Sequence, residues 1–79
     1  MRGRRLKSSL IDRIVFDDEA QTLSIWFKAS GKYAYRDVPR AIYDALANAA
    51  SAGTFFNEAI KGRFACRRES GRRSYPLPG

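Results

Sequence analysis

The chain has 79 residues, 44% of them hydrophobic and 13% aromatic, with a net charge of +7. That apolar share suits one small folded unit and is too high for a disordered chain, although a chain this short buries only roughly 60–65% of its surface. The chain has no apolar run near the roughly 20 residues of a membrane span, no leader-type apolar stretch behind the Arg-rich start, no histidine and one cysteine, Cys66, which argues against a membrane, secretory, disulfide or zinc protein.

The elements follow in chain order. Residues 1–7 form a basic arm with Arg2, Arg4, Arg5 and Lys7 and no acid. From Ser9 to Asp17 the chain is β-branched and aromatic enough for a strand, and Asp17-Asp18-Glu19-Ala20-Gln21 reads as a polar turn. Thr22 to Lys28 alternates Leu23, Ile25 and Phe27 with Ser24, Trp26 and Lys28, the period of a strand with two unlike faces. Ala29-Ser30-Gly31 turns the chain into Lys32–Arg36, completing a three-stranded antiparallel meander.

Pro39 suits a helix start, with Asp37 beside it to satisfy free N–H groups, and Ile42, Tyr43, Leu46 and Ala50 recur at helical spacing. Ser51-Ala52-Gly53 reads as the stop. Thr54 then caps a second helix carrying Phe55, Phe56, Ile60 and Phe64, whose last turn Gly62 weakens. Residues 65–79 form a second basic tail with Arg67, Arg68, Arg72 and Arg73 against Glu69. The expectation is one α+β domain over residues 8–64, ordered βββαα with two helices on one face of the sheet, between flexible basic termini.

Short turns predict that Phe16 faces Leu23 and Ile14 faces Ile25, and that Trp26 faces Tyr35 and Lys28 faces Tyr33. This register collects Ile14, Phe16, Leu23, Ile25, Phe27 and Ala34 under the helices. The opposite face then holds Ile11, Arg13, Val15, Ser24, Trp26, Lys28, Tyr33 and Tyr35. Rings beside cations on a sheet can stack bases and meet phosphates, so Trp26, Lys28, Tyr33, Tyr35 and Arg13 are candidate nucleic-acid contacts. All the excess charge lies in the two ends, where Arg2, Arg4, Arg5, Lys7, Arg67, Arg68, Arg72 and Arg73 can meet a phosphate backbone. The competing reading buries the same aromatic face in a homodimer or against another protein, the tails serving only solubility.

Catalysis has little to work with. Carboxylates, Lys, Tyr and Cys66 occupy no recognisable catalytic spacing, and Cys66 beside Arg67 and Arg68 lacks a base and a pocket. The sequence therefore reads as a non-catalytic binding module of the cytoplasm, with no metal or cofactor and with RNA or another single strand as the leading partner.

Ser8-Ser9-Leu10-Ile11, Leu23-Ser24-Ile25-Trp26-Phe27, Tyr33-Ala34-Tyr35, Val38-Pro39, Ala49-Ala50-Ser51-Ala52-Gly53 and Phe55-Phe56-Asn57 with Ile60 together resemble the KTSC domain. That family is named after a C-terminal extension of some lysyl-tRNA synthetases and also occurs as small stand-alone bacterial proteins. Phe16 and Phe64 stand where the family pattern has Tyr, which keeps the ring and loses a hydroxyl. The resemblance implies a fold and, through the tRNA enzyme, RNA binding. Asn57, an amide beside two rings, is expected to be a buried link to the backbone, and Tyr43 a packing residue with its hydroxyl at the rim.

Overall fold

The computed structural model describes residues 2–69 and orders the chain as β1 (Arg2–Arg5), β2 (Ile11–Asp17), β3 (Thr22–Phe27), β4 (Gly31–Tyr35), α1 (Arg40–Asn48), α2 (Ala52–Phe55), a π-helical turn (Phe56–Ile60) and β5 (Cys66–Glu69). All five strands form one antiparallel sheet in the order β1-β2-β3-β4-β5. The three-strand expectation is thus corrected. Arg2–Arg5 pairs with β2 and Cys66–Glu69 with β4, because ladder hydrogen bonds are made by the backbone and leave Arg side chains free to stay in water. Arg72 and Arg73 lie outside the described residues.

The first hairpin follows the expected register, with Phe16 opposite Leu23 and Ile14 opposite Ile25. Its reversal is held by Asp17, whose Oδ1 accepts the N–H groups of Glu19 and Ala20 at 3.1 and 3.3 Å. Between Ile11 and Arg13 the register shifts, a bulge that turns Ile11 to the helix side, where it is fully buried.

The second hairpin departs from expectation. Gly31 has φ +88° and pairs with Phe27, so the chain reverses within Lys28–Ser30, and Leu23, Ile25 and Trp26 face Tyr35, Tyr33 and Lys32. The difference from the expected register is an odd number of residues, which exchanges the faces. Tyr33 and Tyr35 move to the helix side, Ala34 to the other, and Lys28 into the turn.

The core is made by Ile11, Ile14, Phe16, Leu23, Ile25 and Tyr35 from the sheet with Val38, Tyr43, Leu46, Ala52, Phe56 and Ile60 from the helical half. Tyr43 stacks on Phe16 with ring centroids 5.5 Å apart, the packing role expected of it. Pro39 sits at the N-cap of α1 in extended conformation, without a side-chain cap.

Ser51 is not the stop of α1 but the N-cap of α2. Its Oγ accepts the Thr54 N–H at 3.4 Å, a bond whose loss costs such helices about 1 kcal/mol. The helix then widens, the Lys61 N–H reaching the Phe56 carbonyl five residues back. Gly62, at φ +75°, lies beyond this turn as its terminator.

Candidate functional site

The sheet positions two different surfaces. On the helix-free face, cross-strand partners line up in one transverse row: Arg5 opposite Arg13, Arg13 opposite Trp26, Trp26 opposite Lys32, and Lys32 opposite Glu69. With neighbouring strands about 4.8 Å apart, the four residues from Arg5 to Lys32 span about 14 Å. The Arg13 guanidinium carbon lies 4.3 Å from the Trp26 ring centroid and the Lys32 ammonium 5.1 Å from it, so this half-buried ring holds two cations against its π-system. Lys32 also meets Glu69 at 2.9 Å. The adjacent row is flat: Gly3, Val15, Ser24 and Ala34, ending in Arg67.

Of the residues singled out in the sequence, Arg5, Arg13, Trp26 and Arg67 meet on this face. Tyr33 and Tyr35 do not, and Lys28 is in the turn. Arg2 and Arg4 pair with Phe16 and Ile14, which puts them on the helix side of the edge strand, exposed, and Arg2 contacts Asp18 at 3.3 Å. Arg68 pairs with Tyr33 on that same side, and Lys7 lies exposed beyond β1. Lys32, which no motif marks, joins the site through the Gly31 reversal.

The second surface is a groove of about 470 Å³ at the seam between the β3–β4 hairpin, the π-turn and the start of β5. Its walls are the rings of Phe27, Tyr33, Tyr35 and Phe56, locked edge to face: Phe27 against Tyr33 at 5.4 Å, Phe27 against Phe56 at 5.0 Å, and Tyr35 against Phe56 at 5.8 Å. Leu10 closes one side, fixed by Ser8, whose Oγ accepts the N–H groups of Leu10 and Ile11 at 3.1 and 3.2 Å.

Ser30, Asn57, Lys61 and Cys66 add polar groups to the lining. Asn57 is exposed at the rim, which corrects the expectation of a buried backbone link: the π-turn sends Phe56 into the core and leaves the next residue outside. Cys66 is exposed and on a groove wall, not without a pocket. Burial, and then the neighbouring Cys66 and Tyr33, push the Tyr35 hydroxyl up to about 12, so it is a neutral donor at physiological pH and no base for the thiol. The described residues include no group of three or more His, Cys, Asp or Glu side chains able to hold a metal ion.

The order and spacing of these residues match a known pattern: the profile of the KTSC domain covers residues 7–64. The chain belongs to the KTSC domain family. A crystal structure of a KTSC domain protein from Yersinia pestis superposes with a TM-score of 0.84 at 35% identity, covering 87% of this chain and 97% of that one. A lysine–tRNA ligase of Nostoc punctiforme is 38% identical over 58 residues, 73% of this chain but only 10% of the ligase. A protein of Tsukamurella paurometabola is 36% identical over 59 residues, 75% of this chain and 88% of its own length. The Tyr33-x-Tyr35 and Phe56-Asn57 motifs used to recognise the KTSC domain thus converge on one groove, which sequence reasoning missed as a site. The signal lay in the aromatic-Asn pair.

Proposed function

We propose that this KTSC domain is a non-catalytic module that binds single-stranded nucleic acid, RNA foremost, across the helix-free face of its sheet. The observation that carries this reading is the row Arg5–Arg13–Trp26–Lys32 on a face that, among the described residues, no helix covers. Bases stack on indole rings and on guanidinium planes alike, and the Arg13–Trp26 pair offers both. Arg5, Lys32 and Arg67 flank the stack with phosphate-seeking charge, while the small side chains of the adjacent row let a strand lie close. The ligase relative supports the same reading, since its substrate is an RNA.

Binding of labelled single-stranded RNA to the full-length protein, beside duplex DNA and over a salt series, tests the proposal. Affinity should fall with salt at a log–log slope of roughly −0.7 per phosphate contacted, and Trp26→Ala should weaken single-strand binding about tenfold, in line with the loss of one stacked base. Equal binding of duplex and single strand, indifferent to Trp26→Ala, overturns it and leaves a generic polycation. A mass that rises with protein concentration while no RNA binds assigns the face to self-association.

A further inference from the structure

The aromatic groove is separate from the Trp26 row, on the other side of the sheet, and its chemistry narrows what fits it. Rings on several sides select a flat, apolar body. A purely hydrocarbon guest would leave polar groups stranded. Tyr35 is only 5% exposed, and among the described residues neither its hydroxyl nor the Asn57 amide has a hydrogen-bond partner. A guest that fills the groove takes the Tyr35 hydroxyl away from solvent, so an acceptor on the guest offsets that cost.

The Asn57 amide presents a donor and an acceptor side by side, the pair that matches the edge of a heteroaromatic ring. Charge adds the last constraint: Lys61 is at the rim and, among the described residues, none of the lining is acidic. The wall carrying Asn57 is also the π-turn, a rare distortion that is frequent at functional sites.

We infer that the groove is a binding site for a planar heteroaromatic ring bearing an anionic group, the chemistry of a nucleotide. The ring sits among Phe27, Tyr33 and Phe56. Its hydrogen-bonding edge meets Asn57 and the Tyr35 hydroxyl, and its anionic group meets Lys61. Such a guest comes free or as one unstacked residue of a strand.

Cys66, the chain's single cysteine, lines this groove and is exposed, so its alkylation rate reports occupancy. The experiment measures iodoacetamide labelling of the full-length protein with each of the four nucleoside 5′-monophosphates, with a short oligonucleotide of the same base, and with inorganic phosphate. Saturable slowing by at least one mononucleotide is expected for a free guest; slowing by the oligonucleotide alone identifies a strand residue. In either case Asn57→Ala and Lys61→Met should each weaken protection about tenfold, and for a free guest Lys61→Met should leave protection by the parent nucleoside unchanged.

Trp26→Ala should leave protection by mononucleotides unchanged, so failure of the open-face reading and failure of this one are separable. Asn57→Ala and Lys61→Met replace exposed side chains, and circular dichroism checks that all three variants fold. The inference is overturned if neither guest protects Cys66, if inorganic phosphate protects it equally, or if Asn57→Ala and Lys61→Met protect as well as the parent.

Discussion

The two faces of this sheet are built from the same strands and use aromatic side chains in opposite ways. On the helix side, rings meet rings: Phe16 with Tyr43, and Phe27, Tyr33, Tyr35 and Phe56 in an edge-to-face chain. On the open side the Trp26 indole is flanked by the cations of Arg13 and Lys32. Ring–ring contacts in a core are tied to burial and so to stability, whereas a half-buried ring beside an exposed guanidinium and a partly buried ammonium contributes less to folding. The contrast separates what holds the domain together from what remains available to a ligand.

Cutting into the covered side should have the largest effect. Phe16→Ala removes a buried ring and the Tyr43 stack, and should lower unfolding free energy by about 3–5 kcal/mol in urea titrations. A loss below about 1 kcal/mol would mean that the ring is not part of the core.

Alkaline pH sharpens the comparison further. Tyr35 holds its proton more tightly folded, at about 12, than the ordinary phenol value of 10.0. Its contribution is complete below pH 10 and is lost as the pH rises towards 12. Tyr35→Phe should flatten that alkaline decline in thermal melts, and an unchanged decline assigns it elsewhere.

On the open face effects on folding should be small. Trp26→Ala removes a half-buried ring and two cation–π contacts and should cost about 1–2 kcal/mol, less than Phe16→Ala, while weakening the proposed nucleic-acid binding about tenfold. Glu69→Gln should change stability by less than about 1 kcal/mol yet strengthen binding and steepen its salt dependence, because it releases Lys32. If Glu69→Gln weakens binding, Lys32 needs its partner for positioning, and the row is not a simple cation track.

Much of the covered face was legible in the sequence. The alternation of Leu23, Ile25 and Phe27 and the turn chemistry of Asp17 sufficed for the first hairpin, and the helical spacing of Tyr43 and Leu46 for α1. The second hairpin was not legible, since its register hangs on whether Gly31 ends the turn or opens the strand, and that choice decides which face receives Tyr33 and Tyr35. The edge strands were hidden for another reason. Arg2–Arg5 and Cys66–Glu69 show no alternation because all but Glu69 are exposed; backbone pairing, which leaves no trace in side-chain pattern, recruits them. The family profile ends at Phe64, yet trimming to residues 7–64 would strip both edge strands and alter the sheet.

Those edge strands have a colloidal consequence. An open sheet edge invites pairing with a second copy, but here each edge carries arginines: Arg2, Arg4 and Arg5 on one, Arg67 and Arg68 on the other. Two copies meeting edge to edge bring like charges across from one another, which opposes association. Salt screens that repulsion as well as attraction to phosphate. Ionic conditions that would release the proposed nucleic-acid ligand are therefore those under which copies of this protein least resist one another.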